Sequence, residues 1–248
     1  MRFVGKRAMV TGAGHGIGLA IAQRLAEEGA QVLICDRHEA RAEAAADSIG
    51  HDVAAHVIDV RERCAVEGAV AKAVALWDGL DVLVANAGVM DRMPFLETTD
   101  EHWRTVLGIN LYGAFLCGQL AARRMVAQGT GGRIVNVASN SGIFGGRGRA
   151  AYGTSKAGLI NLTQCMAIEL AEHDILVNAV APGPTKTHPE LQGELMASAA
   201  QRMPLKRFGH PSEIAAVAAF LASDDCTFTT GHTYAADGGF TVAGVMEG

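Results

Sequence analysis

The sequence is poor in proline, in aromatic residues and in positive charge. Its 248 residues include 6 Pro, and Phe, Trp and Tyr together make up 5% of the chain. Lysine and arginine number 21 against 26 for aspartate and glutamate, which gives a formal net charge of −5. Proteins that bind nucleic acids need a basic surface, so no nucleic-acid partner is expected.

Cysteine is also sparse, and its spacing excludes two further classes. The five residues, at positions 35, 64, 117, 165 and 226, are odd in number and form no Cys-x-x-Cys pair. This pattern suggests neither a disulfide framework nor a metal site, and no metal is expected. We interpret the five cysteines, Cys117 and Cys165 included, as reduced thiols in the core. Together with an N-terminus that lacks an apolar signal segment, this favours a cytoplasmic location.

One segment is apolar enough to raise the question of a membrane. Thr105 to Ala122 carries no charge over eighteen residues, but it includes Asn110, Gln119 and three glycines. We interpret it as a buried helix and a candidate subunit interface, and expect no membrane partner.

Hydrophobic residues, by contrast, make up 49% of the chain and glycines number 30. Strand-like apolar runs alternate with helix-period segments, at residues 8–11, 31–36, 53–59, 80–85, 133–138 and 176–181. This alternation predicts an α/β domain over residues 1–248, with a parallel sheet covered by helices on both faces. Residues 183–209 are predicted to form a substrate lid over the carboxyl ends of the strands, with a helix within 190–202.

A glycine-rich segment follows the first predicted strand and opens the first helix. It reads Thr11-Gly-Ala-Gly-His-Gly-Ile-Gly18. Glycines there allow the backbone to approach a pyrophosphate at the helix N-terminus. The loop therefore predicts a dinucleotide site that includes Gly12, His15, Gly16, Ile17 and Gly18.

The type of dinucleotide is indicated by Asp36, which ends the second predicted strand. A carboxylate at this position accepts both ribose hydroxyls and repels a 2′-phosphate. Arg37 could pair with such a phosphate, but His15 stands in the loop where a lysine or arginine would favour NADP. We predict that the cofactor is NAD.

Tyr152 and Lys156 lie four residues apart, thirteen residues after Ser139. Residues i and i+4 share one face of a helix, so the ammonium can lie beneath the phenol and favour its ionised form. Lowering a phenol pKa from about 10 to about 7 requires about 4 kcal/mol. The spacing predicts a tyrosine base, with Ser139 holding the substrate oxygen; taken alone, it is more typical of an ordinary helix pair.

With these motifs, Asn110 and Pro182-Gly183 all in order, the chain resembles the short-chain dehydrogenase/reductase family over nearly its whole length. The resemblance implies a single-domain, Rossmann-type doubly wound parallel sheet. Its seven strands would be ordered 3-2-1-4-5-6-7 and closed by a last strand near His232 to Asp237. It also implies a homotetramer.

The resemblance implies roles for individual residues. Tyr152 would be the acid/base, Lys156 would lower its pKa and bind the nicotinamide ribose, and Ser139 would polarise the substrate carbonyl. Asn110 would anchor a water in a proton relay, although it could also be a core amide. Further cofactor contacts would come from Asp59 and Val60 at the adenine, Asn86, Ala87 and Gly88 at the adenosine ribose, and Pro182, Gly183, Thr185 and Thr187 near the carboxamide. Asn86 could instead only tie neighbouring strands together.

Three functions remain open at this stage. The leading one is an NAD-dependent dehydrogenase of secondary alcohols, acting on a small molecule such as a sugar or polyol. Substrate contacts would come from Ser139, Asn140, Ser141, Phe144, Tyr152 and His188. The second is a 3-oxoacyl-carrier-protein reductase, against which Thr130 and His173 stand where such reductases resemble one another in carrying arginine. The third is a non-catalytic nucleotide-sensing protein, which predicts a broken Ser/Tyr/Lys set.

Overall fold

The computed structural model describes residues 1–50, 52–187, 195 and 197–244. Seven parallel strands form one sheet, in the order β3-β2-β1-β4-β5-β6-β7. Their bounds are β1 Arg7–Thr11, β2 Gln31–Asp36, β3 Val53–Val57, β4 Val82–Ala85, β5 Gly132–Val137, β6 Ile175–Pro182 and β7 Thr233–Ala236. The predicted fold class and strand order are confirmed, and each strand lies within two residues of its predicted bounds.

Helices cover both faces of this sheet. They are α1 Gly16–Glu27, α2 Glu39–Ile49, α3 Arg63–Trp77, α4 Asp100–Leu107, α5 Gly113–Gln128, α6 Ala150–Leu170, α7 Ala197–Ala200 and α8 Pro211–Ala222. Helices α1, α2 and α8 bury their apolar stripes on one face, and α3, α5 and α6 on the other. The strands between the two edge strands β3 and β7 are therefore buried on both faces, which is why they read as continuous apolar runs.

The charge-free segment lies in a long helix with an irregular centre. Helices α4 and α5 are joined by a π-helical turn, Gly108–Tyr112, which the sequence did not predict. By length and composition, Asp100–Gln128 could cross a membrane, but 56% of its most apolar window is buried within the protein. Such burial is typical of a core helix.

The cysteines and the predicted lid differ in how far the structure bears on them. The core interpretation is wrong for Cys64 and Cys165, which are exposed, and confirmed for Cys35, Cys117 and Cys226, which are buried. The cause is that Cys165 lies beside the apolar stripe of α6, about a quarter-turn of helix away from Met166. Of the predicted lid, the structure describes a short helix, Ala197–Ala200. Residues 188–194 and 196 lie outside the described residues, so the lid and the single-domain organisation stay predictions.

Candidate active site

The glycine loop lies between β1 and α1, at the carboxyl edge of the sheet. Gly12 has a φ of +61°, and a Cβ there would lie 2.7 Å from the Cα of Ala87. Only glycine combines that backbone conformation with so close an approach. The loop is thus packed against the end of β4, while α1 begins at Gly16 beside it, and the N–H groups of a first helical turn suit a pyrophosphate.

Asp36 ends β2 beside this loop. Its side chain is buried, with Oδ2 accepting a hydrogen bond from the Gly14 N–H at 3.1 Å and Oδ1 from the His38 N–H at 3.0 Å. Each carboxylate oxygen keeps a second lone pair, so the group can still accept ribose hydroxyls. The neighbouring Arg37 is exposed and donates to His38 Nε2 at 3.0 Å. The residues present therefore fit a dinucleotide whose ribose carries free hydroxyls.

The side chain of Asn86 fastens β4 to the loop. Its Nδ2 donates to the carbonyl oxygens of Thr11 and Gly12, both at 2.9 Å. The backbone N–H groups of Asn86 and Ala87 each donate to Thr11 Oγ1 at 3.1 Å. These contacts favour the alternative in which the Asn86 side chain ties strands together, and they leave the Ala87-Gly88 backbone as the candidate ribose contact.

The two residues predicted to meet the adenine are already engaged with protein groups. Asp59 pairs with the Arg61 guanidinium, at 3.0 and 2.5 Å, and hydrogen bonding from Arg61 lowers the pKa of Asp59. Val60 is buried against Gly113, where a Cβ would lie 2.6 Å from Val60 Cγ2. Their contact with adenine stays a prediction.

Asn110 lies in the π-helical turn and is fully buried. Its Oδ1 accepts from the Val89 N–H at 2.8 Å, and its Nδ2 donates to the Val89 carbonyl at 3.0 Å and to Ser155 Oγ at 3.1 Å. The amide thus joins the segment after β4 to α6. This network supports the core-amide alternative, with one lone pair of Oδ1 left over.

Tyr152 and Lys156 share a face of α6, next to Ser139 at the end of β5. Lys156 Nζ lies 6.0 Å from the centre of the Tyr152 ring and donates to the Val137 carbonyl at 2.7 Å. Lys156 is 4% exposed, and burial lowers its pKa to about 8. A Cβ on Gly88 would lie 3.5 Å from Nζ, so the Gly88 backbone borders the same site.

The expected lowering of the Tyr152 pKa is not produced by the protein alone. Burial raises the pKa of Tyr152, and a hydrogen bond with Ser139 and the positive charge of Arg149 oppose that rise without cancelling it. The physical reason is that the Lys156 ammonium hydrogen bonds to a backbone carbonyl, while desolvation of the phenol penalises its ionised form.

The residues predicted to bind substrate do not form one open polar rim. Asn140 and Ser141 are buried, and the Ser141 N–H donates to Ser139 Oγ at 3.1 Å. Phe144 stacks on Phe240 with 4.9 Å between ring centres. His188 lies outside the described residues.

The segment after β6 returns to the glycine loop. The Gly183 N–H donates to the Ala236 carbonyl at 3.1 Å, which keeps Pro182, the last residue of β6, paired with β7. Thr185 Oγ1 donates to the Gly183 carbonyl at 2.9 Å. A Cβ on Gly16 would lie 3.3 Å from Thr187 Cβ, so Thr187 sits directly against the loop. Residues Pro182 to Thr187 therefore border the same carboxyl edge as the loop.

Comparison with known proteins agrees with this arrangement. A family model described as enoyl-(acyl carrier protein) reductase matches residues 12–241. A cis-4-hydroxycyclohexanecarboxylate dehydrogenase of Sinomonas cyclohexanicum is 42% identical, with 96% of this chain and 98% of that protein covered. A solved short-chain type dehydrogenase/reductase of Mycobacterium marinum superimposes with a TM-score of 0.91 at 37% identity, with 96% of each chain covered. The chain belongs to the short-chain dehydrogenase/reductase family. As a member, it is an oxidoreductase that acts on alcohol groups with a nicotinamide cofactor.

The names of two further relatives indicate different classes of substrate. An L-tagatose-forming galactitol 2-dehydrogenase of Cereibacter sphaeroides is 40% identical, with 97% of each chain covered. A 3-oxoacyl-(acyl-carrier-protein) reductase of Thermotoga maritima is 38% identical, with 98% of this chain and all of that protein covered. Similarity at this level does not separate a polyol from an acyl substrate.

Sequence reasoning missed three residues of this dehydrogenase/reductase site. Thr11 and Ser155 hold Asn86, Ala87 and Asn110 through their hydroxyl groups. Arg149 precedes Tyr152 by three residues and donates from Nη1 to Ser141 Oγ. The sequence could have indicated Arg149, because residues at i and i+3 are neighbours on a helix surface.

Proposed function

We propose that this enzyme is an NAD-dependent dehydrogenase that converts a secondary alcohol of a small polyhydroxylated substrate to the ketone or lactone. The observation that carries the proposal is the meeting of Ser139, Tyr152 and buried Lys156 at the same sheet edge as Asp36. The chemistry supplied by a bound oxidised nicotinamide would be that of an acceptor for the hydride of the carbinol carbon. A buried acid/base beside a hydroxyl donor suits the accompanying proton transfer.

The residues of the chain divide the remaining work. Ser139 Oγ would hold the substrate oxygen, and the Tyr152 phenolate would take the hydroxyl proton. The Lys156 ammonium, fixed by Val137, would supply positive charge below the phenol and bind the nicotinamide ribose. Asn110 would hold the Val89 backbone and, through its remaining lone pair, a relay water. Asp36 would select NAD through the two ribose hydroxyls.

A panel of alcohols tests this function. With NAD, we expect NADH absorbance to rise with at least one small sugar, polyol or hydroxy acid, and to stay low with alkyl and aryl alcohols. The polar groups of the neighbouring cleft, among them Arg92 and Arg149, would gain no partner from an alkyl chain, which lowers the affinity. A higher kcat/KM for alkyl or aryl alcohols than for every hydroxylated compound would contradict the substrate class. Cofactor binding without turnover of any alcohol would instead favour the nucleotide-sensing alternative.

The 3-oxoacyl reductase remains the second candidate because of the Thermotoga maritima relative. Its docking to an acidic carrier protein would need positive charge, yet Thr130 is exposed and neutral and accepts a hydrogen bond from Gln128 at 2.8 Å. His173 lies 3.9 Å from the Glu172 carboxylate, which adds negative charge at this position. Efficient NADPH-dependent reduction of a 3-oxoacyl thioester would establish this alternative.

We further propose a cytoplasmic homotetramer. Tyr112 and Phe115, 48% and 36% exposed, border an apolar groove between α4, α5 and α6, and Ile168 on α6 is 79% exposed. Apolar surface of this kind marks an interaction site, and pairing of these helices across a two-fold axis would cover it. Light scattering at micromolar concentration is expected to give four times the 25.9 kDa chain mass. A monomeric mass would contradict the proposal.

A further inference from the structure

A cleft of about 820 Å³ lies beside the catalytic residues. Its walls are the segment between β4 and α4 and the segment between β5 and α6, which are joined by a hydrogen bond from the Met93 N–H to the Gly148 carbonyl at 3.1 Å. Three arginines line it, Arg92, Arg147 and Arg149. The cleft adjoins the Tyr152 site, because Gly153, the next residue of α6, forms part of its wall.

Arg149 is the most buried of the three arginines. Its side chain is half-buried, whereas Arg92 and Arg147 are exposed. Burial and the nearby charge of Arg92 lower the pKa of Arg149. Two cations that oppose each other across a cleft are stabilised when an anion lies between them.

No carboxylate supplies that counter-charge within the part of the chain that the structure describes. Among those residues, Arg92, Arg147 and Arg149 form no ion pair, and the nearby Asp91 lies 3.6 Å from His102 Nδ1 instead. Helix α6 begins at Ala150, which also lines the cleft, so the positive end of a 21-residue helix faces the same space. Helix N-termini favour anions.

The cleft is connected to the reacting groups through one side chain. Arg149 Nη1 donates to Ser141 Oγ, and the Ser141 N–H donates to Ser139 Oγ at 3.1 Å. Ser141 thus bridges the guanidinium and the Ser139 hydroxyl that is proposed to hold the substrate oxygen. The positive charge of Arg149 also acts on the pKa of Tyr152. Ser141 therefore joins the cleft to the reacting groups by hydrogen bonds on both of its sides.

We propose that Arg149, assisted by Arg92, binds an anionic group of the substrate, a carboxylate or a phosphate, while Ser139 and Tyr152 hold the reacting alcohol. This inference rests on the proposed dehydrogenase function and narrows its substrate class to hydroxy acids and phosphorylated polyols. Charge-assisted bonds from guanidinium to such groups are among the strongest that proteins form.

Binding can be measured without turnover. The full chain, saturated with NADH so that its phosphate loop is covered, would be titrated calorimetrically with cyclohexanecarboxylate, its uncharged amide and inorganic phosphate. We expect the carboxylate or the phosphate to bind at least about tenfold more tightly than the amide. Tighter binding of inorganic phosphate than of cyclohexanecarboxylate would identify the anionic group of the substrate as a phosphate ester. Equal affinities for acid and amide, or binding of an acidic carrier protein without binding of either small anion, would overturn the proposal.

Variants locate the site. Arg149→Gln should abolish the preference for the anion, Arg92→Gln should reduce it, and Arg149→Lys should restore part of it. Arg123→Gln, an exposed arginine on α5, is the matched control and should change nothing. An unchanged preference in Arg149→Gln would refute the assignment of Arg149.

Kinetics separate this inference from the proposed function. For 4-hydroxycyclohexanecarboxylate and its carboxamide, Arg149→Gln should raise KM for the acid about tenfold or more and leave KM for the amide nearly constant. Turnover of both compounds with equal kcat/KM by the unmodified enzyme would overturn the anion site and leave the dehydrogenase intact. Turnover of no alcohol at all would refute the function, while the titration would still report on the anion site.

Discussion

Replacement of Tyr152 by phenylalanine is expected to lower kcat by about 10²- to 10⁴-fold, the range that general acid–base catalysis contributes. The variant removes only the hydroxyl, so NADH binding should change by less than about twofold, because Lys156 keeps its bond to Val137. Steady-state rates and a fluorescence titration with NADH measure the two effects. Tyr234→Phe, on β7, is the matched control and should retain full activity.

The same residue sets the direction of the pH dependence. Alcohol oxidation needs the phenolate, so the rate should rise with pH until Tyr152 is ionised. Burial raises the pKa of Tyr152 in the protein alone, and the positive charge of an oxidised nicotinamide would lower it. Ultraviolet titration of the phenol should therefore show ionisation at a lower pH with NAD than without it. Retention of appreciable kcat in Tyr152→Phe, or a flat pH profile, would contradict the acid/base role.

The second large effect concerns the cofactor. The unmodified enzyme is expected to prefer NAD over NADP by at least about 100-fold in kcat/KM. The buried Asp36 carboxylate would face a 2′-phosphate of like charge, a clash that costs several kcal/mol, and each 1.4 kcal/mol is tenfold.

Asp36→Ala should reduce that preference to within about tenfold. The change removes the repulsion, and it also removes the acceptor of the Gly14 and His38 N–H groups, so kcat/KM with NAD should fall. Asp47→Ala, at an exposed position on α2, is the control. Comparable kcat/KM values for the two cofactors in the unmodified enzyme would refute the role of Asp36.

The sequence predicted those parts of the molecule that depend on local pattern. Buried strands are continuous apolar runs, so their bounds and their order followed from alternation and resemblance. Gly12 was recognisable because a loop between a strand and a helix needs its conformation. Tyr152, Lys156 and Ser139 were predicted as neighbours, and the structure brings them together.

The remaining features depend on contacts between distant segments. The Asn86 amide binds the Thr11 and Gly12 carbonyls 75 and 74 residues away. Phe144, which lines the cleft beside the active site, stacks on Phe240, 96 residues further along the chain. No local pattern encodes such pairings, and the π-helical turn that holds Asn110 likewise arises from packing.

Burial of Lys156 has a consequence for the folding equilibrium. Its pKa is about 8 in the folded chain and near 10.5 when exposed, so between these values the unfolded chain binds more protons and stability rises with pH. Below pH 8 the folded state carries the full desolvation cost, on the order of 3 kcal/mol. The rise in stability ends near pH 10, because the Tyr152 phenol ionises there in the unfolded chain but not when it is buried. Resistance to unfolding should thus increase on the mildly alkaline side, while over the same range the free protein loses the positive charge that Lys156 places below the phenol.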